Sequence, residues 1–129
     1  NKNLDFSNPI VIDNRLGNIV GDPEGIAIFK TSDIDGYIVL SSQGDSKFNV
    51  YNRKSPYSYV TSFAVGANDS IDAVTDTDGI DISTISINSF FPSGIVVVQD
   101  GFNEGDQIEN TQNFKFISAK EVLKAINLK

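Results

Sequence analysis

From Ile26 onward the chain reads as short apolar or alternating runs cut by turn residues. Ile26-Ala27-Ile28-Phe29-Lys30-Thr31 is followed by the turn Ser32-Asp33-Ile34-Asp35-Gly36, and then by Tyr37-Ile38-Val39-Leu40-Ser41-Ser42. A second turn, Gln43-Gly44-Asp45-Ser46, leads to Phe48-Asn49-Val50-Tyr51-Asn52-Arg53, whose apolar and polar residues alternate as in a half-buried strand. After Lys54-Ser55-Pro56, the run Tyr59 to Val65 predicts a fourth strand. Four short strands joined by tight turns make an antiparallel meander.

The pattern then restarts. Asp22-Pro23-Glu24-Gly25-Ile26 and Asp76-Thr77-Asp78-Gly79-Ile80 share one form, Asp-x-acid-Gly-Ile, 54 residues apart. Gln43-Gly44 matches Gln99-Asp100-Gly101, which follows the apolar run Gly94 to Val98, and Phe114-Lys115-Phe116-Ile117 takes the place of a third strand. Repeats of this length with about four strands each predict an all-β fold built of β-propeller blades, with a β-sandwich carrying a chance recurrence as the alternative. Residues 1–20, with the apolar run Pro9-Ile10-Val11-Ile12, read as the end of a preceding blade. Residues 21–66 read as a complete blade, and 67–129 as a last blade lacking its outer strand. Ser118 with Glu121 three residues later is a capping-box pattern and predicts a short C-terminal helix. Two blades cannot close a ring, so open sheet edges and self-association are expected.

Composition narrows the chemistry. The 129 residues include no Cys and no His, which excludes disulfides, thiolate sites, cysteine nucleophiles and imidazole bases. No Met is present, which reads as a piece of a longer or processed protein. No run of residues looks like a signal peptide or a transmembrane span. Chemistry here must use carboxylates, amides, hydroxyls, Lys, Arg or a hard metal ion.

The net charge is −7, and between Lys54 and Lys115 nine Asp and Glu occur without one basic residue. Asp69, Asp72, Asp76, Asp78 and Asp81 crowd into thirteen positions, where like charges repel unless screened. A solvated acidic face is one reading, and bound cations are the other. Nucleic acid and anionic membrane are poor partners for such a face. In a propeller, the loop before each innermost strand opens on the central channel, so Asp22, Glu24, Asp72, Asp76, Asp78 and Asp81 could meet in one all-oxygen cluster. Oxygen ligands without imidazole or thiolate favour Ca²⁺ or Mg²⁺, and crowded flexible loops favour Ca²⁺. The run Asp76 to Asp81 opens like an EF-hand loop, but a ligand is missing before Gly79 and Ile87 stands where Glu is needed. Asp33, Asp35 and Asp45 read as turn residues.

Taken together, Gly21-Asp22-Pro23-Glu24-Gly25-Ile26, Ser41-Ser42-Gln43-Gly44, Asp72 six residues before Asp78, Gln99-Asp100-Gly101 and Gln112-Asn113-Phe114-Lys115 resemble the closing segment of the β-propeller phytases. The match runs from about Val20 to Lys120. It departs at Ala73-Val74 and around Phe102 to Glu109. The resemblance implies the last third of a six-bladed propeller that binds several Ca²⁺ ions and removes phosphates from phytate (inositol hexakisphosphate). It implies catalytic roles for Glu24, Asp72 and Asp78. It also implies metal ligation by Asp22, Glu24, Asp72, Asp76, Asp78, Asp81 and Asp100. An extracellular or periplasmic location follows from the resemblance alone. The family's phosphate-gripping Lys and Arg belong to earlier blades, so the piece by itself is expected to be inactive. A non-catalytic calcium-binding module is the alternative.

Overall fold

The fold is known from a computed structural model that describes residues 9–104 and 111–128. The first sheet is formed by β1 (Ile26–Lys30), β2 (Gly36–Ser42), β3 (Lys47–Asn52) and β4 (Tyr59–Phe63), paired antiparallel in chain order. The second contains β5 (Ile80–Ser83), β6 (Ile95–Asp100) and β7 (Asn113–Ser118), again antiparallel and in order. α1 (Ala119–Asn127) follows β7 directly. The expected meander, its partial repeat and the C-terminal helix are all present.

Alternation decides which face each sheet buries. Phe29, Val39, Phe48 and Val50 of the first sheet meet Val96 and Val98 of the second, with Val74 between them. Phe48 stacks on Phe63 with ring centroids 5.3 Å apart, which joins β4 to the same core. β1 and β5, the first strand of each sheet, lie side by side. Ala119, Val122 and Ile126 recur at helical spacing and turn one face of α1 onto this core. The helix starts at Ser118, but the serine side chain makes no cap bond and Glu121 pairs instead with Lys124 at 2.8 Å. The capping box is therefore not formed. Helix packing, with Ala119 N–H donating to Gly94 O at 3.1 Å, fixes this terminus instead.

The opposite face of the first sheet carries Ile26, Ile28, Ile38 and Leu40. Pro9–Ile12 is not paired as a strand. Ile10, Val11 and Ile12 instead line a groove of about 270 Å³ with Ile26, Ile38 and Leu40. On the far side of the second sheet, Phe114 and Phe116 of β7 are exposed. Among the described residues the Phe114 and Phe116 face is uncovered, whereas residues 10–19 cover part of the outward face of the first sheet, burying Ile19, Asn49 and Tyr51.

Candidate functional site

All the candidate acids except Asp81 lie in loops or strand ends at one end of the two sheets. β1 and β5 begin there, and β2 and β6 finish there. The two Asp-x-acid-Gly-Ile elements are brought into contact at this end. A Cβ on Gly25 would lie 2.8 Å from Ile80 N and 2.9 Å from Gly79 Cα, so only glycine permits the two backbones to approach so closely. Each acid preceding the glycine is held through its own N–H. Glu24 and Gly25 N–H both donate to Ser41 Oγ, at 3.2 and 2.7 Å, and Asp78 N–H donates to Gln99 Oε1 at 2.7 Å. Ser41 N–H closes on Gly25 O at 2.8 Å, and Gln99 N–H on Gly79 O at 3.0 Å.

Ser41 and Gln99 are therefore equivalent positions. Ile26 pairs with Leu40 and Ile80 with Val98, so the strand register places Gln99 against Ser41, and Asp100 against Ser42. The sequence match of Gln43 with Gln99 is displaced by two residues, one full pleat. Gln43 does something else: its amide donates across to Asp78 Oδ1 in the other sheet. Ser46 makes a second cross-sheet bond, accepting from Asp76 N–H at 3.0 Å.

Asp22 and Glu24 are exposed, Asp22 pairing with the Arg15 guanidinium. Asp78 is exposed and Asp76 partly so, in a left-handed conformation with φ of 47°. Asp81 sits one residue into β5, opposite Val97. Its neighbours Ile80 and Ile82 face the core, so its carboxylate leaves by the other face. Among the described residues, no three acidic side chains come together as a group that could hold a metal ion.

Asp72 and Asp100 are placed quite differently. Lys115 Nζ lies 2.6 Å from Asp72 Oδ1 and 2.7 Å from Asp100 Oδ2, and also donates to the carbonyls of Asp72 at 3.0 Å and Ala73 at 2.8 Å. Asp100 is fully buried, its other oxygen accepting Thr75 N–H at 2.9 Å. Hydrogen bonding from Lys115, then from Glu104 N–H at 2.7 Å, holds the Asp72 carboxyl below the usual range. Burial opposes the charge on Lys115, but bonds to Asp100 and Asp72 outweigh it and push the ammonium pKa upward. A cleft of about 540 Å³ opens beside this knot, lined by Asp72, Glu104, Asn113, Phe114 and Lys115 among others. Asn103 and Glu104, from the divergent stretch Phe102 to Glu109, also line this cleft, and residues 105–110 lie outside the described residues.

The first sheet has a neutral counterpart at the same register. Ser42 stands where Asp100 does, and Asn49 stands where Lys115 does. Asn49 Nδ2 donates to Asn18 O at 2.7 Å, as Lys115 does to Asp72 O. The sequence pointed to the acids but missed Ser41, Gln43, Gln99, Lys115 and Arg15. Gln43 and Gln99 were visible only as landmarks, and Lys115 only as part of a strand.

Oxygen donors dominate this end of the molecule, which suits a hard cation. Asp45, in the same turn as Gln43, has its Oδ1 buried without a hydrogen-bond partner among the described residues, while Oδ2 takes Lys47 at 3.1 Å. The donor chemistry thus fits Ca²⁺, but ligands from elsewhere would have to complete any cage.

Two adjoining antiparallel sheets, in contact at their first strands and carrying repeated acidic loops at one end, have the form of β-propeller blades. The profile of the phytase family matches residues 7–129, and the chain belongs to that family. It is similar to a 3-phytase of Bacillus subtilis (strain 168), being 34% identical over 113 residues, or 87% of this chain. The chain spans 30% of that relative's length.

Proposed function

We propose that, in the whole protein, this acidic end forms part of a calcium-dependent site that removes phosphate from phytate. One observation carries the reading: two copies of an acid-bearing loop, far apart in sequence, stand side by side at Gly25 and Gly79–Ile80. Family membership and the name of the relative support the substrate class. The apolar outer faces of the two sheets are where further blades would pack to complete a six-bladed ring.

Glu24 and Asp78 are the carboxylates best placed to hold calcium, with Asp22 and Asp76 beside them. Ser41 and Gln99 fix the two backbones, and Gln43 orients the Asp78 carboxylate while leaving its second oxygen without a partner among the described residues. When bound, calcium supplies positive charge against phosphate oxygens and acidifies a water. Asp72 and Asp100 bind Lys115, and in this reading they also hold the loop that delivers Thr75–Asp78 to the site. Asp81 belongs to a neighbouring face. A secreted location is proposed with the rest, on the family resemblance alone.

The test is phosphate release from phytate by the whole protein, with calcium and with a calcium chelator. Release that depends on calcium is expected. Equal release under the chelator would remove the metal from the mechanism. No release under either condition, with calcium still bound, would leave the non-catalytic binding module.

A further inference from the structure

We propose that Arg15 is a phosphate-contacting residue of the candidate site, an inference that rests on the phosphate-ester reading above. The charges of the described residues are distributed unevenly. Lys30, Arg53, Lys54, Lys120 and Lys124 belong to the end of the sheets remote from the repeated acidic loops, on strand ends, turns and α1. Three cations share the acidic end. Lys115 is buried in its double ion pair, and Lys47 holds Asp45. Arg15 alone of the three touches one of the repeated acidic elements, through Asp22.

The loop that carries Arg15 is built to hold its shape. The Asp13 carboxylate accepts from Tyr51 Oη at 2.6 Å, Asn14 N–H at 2.7 Å and Asn18 Nδ2 at 2.9 Å, with Asn18 N–H at 3.2 Å. Burial raises the Asp13 pKa and these bonds, Tyr51 first, outweigh it, so the carboxylate stays charged. Gly17 leaves room for the Asp13 carboxylate, since a Cβ there would fall 2.0 Å from Asp13 Oδ1 and displace it. Asn49 fastens the far side of the loop through Asn18 O. The loop is thus pinned to β3 while Arg15 and Leu16 project from its tip.

A guanidinium offers paired donors in a plane, the geometry that grips phosphate oxygens. Its present partner does not hold it strongly. The side chains of Arg15 and Asp22 are 64% and 55% exposed, and exposed pairs contribute little to stability. Glu24 follows Asp22 by two residues, so their Cα atoms are within about 7 Å, the reach of an extended arginine. A phosphate bridged to Glu24 by a cation would therefore lie within range of Arg15, and transfer of the guanidinium from Asp22 to phosphate would also free Asp22 for a cation.

The experiment is Arg15→Gln and Arg15→Lys in the whole protein, assayed with phytate and with p-nitrophenyl phosphate, with phytate binding measured by calorimetry. Arg15→Gln is expected to raise KM and Kd for phytate about tenfold, the loss of one charge-assisted contact, with a smaller effect on kcat. Arg15→Lys should recover part of the loss, and the melting temperature should not move. A KM and Kd unchanged in Arg15→Gln would overturn the proposal. Should the wild-type protein release no phosphate, the phosphatase reading falls, and calorimetry still decides this one: weakened phytate binding in Arg15→Gln supports the contact and unchanged binding refutes it.

Discussion

Replacing Lys115 by Met should destabilise this fold more than any single change at the exposed acids. The ammonium satisfies two carboxylates and two carbonyls at once, all between 2.6 and 3.0 Å. Without it, Asp100 is a fully buried carboxylate whose remaining donors among the described residues come from Thr75, the N–H at 2.9 Å and the hydroxyl at 3.4 Å. Removing one partner of a buried pair costs about 3–5 kcal/mol, because the other charge stays desolvated and alone. The first sheet supplies the control. Its register-equivalent residues Asn18, Ser42 and Asn49 do the same holding without charge. The triple change Asp72→Asn, Asp100→Ser and Lys115→Asn should therefore recover most of the loss, because no uncompensated charge remains. Urea denaturation of the three proteins gives the comparison through the transition midpoint at constant slope. A Lys115→Met loss under about 1 kcal/mol, the range of an exposed pair, or a triple variant weaker than the single one, would refute the reasoning.

Glu24→Gln and Asp78→Asn in the whole protein should each slow phosphate release from phytate by more than about a hundredfold, with the circular dichroism spectrum unchanged; this is the loss of roughly three kcal/mol of transition-state stabilisation. Gly25→Ala should lower both the melting temperature and the phosphate release, since its methyl must push the Gly79–Ile80 backbone away; an unaltered melting temperature would contradict the close approach. Excess calcium should raise the melting temperature of the whole protein, by mass action worth about 2.7 kcal/mol at a hundredfold excess over Kd, and magnesium should do less. In acid, Asp72 and Asp13 have folded pKa values below the ordinary 3.8, so their stabilisation is complete above that pH and is lost as pH falls through the lowered values. In base, the raised pKa of Lys115 keeps its contribution whole below the ordinary 10.5, and that contribution is lost as pH rises from there through the folded value. Urea midpoints measured across both ranges check the two limbs.

The strands were legible because their signals are local. β1 to β4 follow runs bounded by turn residues, and each boundary fell within a residue or two of the pattern. The repeat was legible in its acid-Gly-Ile elements but misaligned at the end of the second strand. There the sequence pattern pairs Gln43 with Gln99, whereas hydrogen bonding equates Gln99 with Ser41 because both accept from the N–H of the acid before the inner strand. Pairing register is set by the ladder, and two unlike side chains can do one job. The C-terminal helix was anticipated for a partly mistaken reason, since its apolar face rather than a serine cap anchors it.

The acids show why charge crowding in sequence is an incomplete guide to a site. Asp72 and Asp78 are six residues apart and look alike in the chain, yet one is tied to an ammonium and the other stands exposed beside Gln43. What separates them is Lys115, 43 residues beyond Asp72 in the chain, at the third ladder position of a strand that pairs back to Asp100. No pattern within the acidic stretch contains that partner. A buried carboxylate requires a compensating charge, whereas an exposed one can wait for an ion, so the decisive question for each acid is the depth at which its loop delivers it. Here the strand end at Asp100 delivers a carboxylate into the core and the glycine contact at Gly25 delivers two to the surface. The same composition therefore serves structure on one side of Thr75 and candidate chemistry on the other.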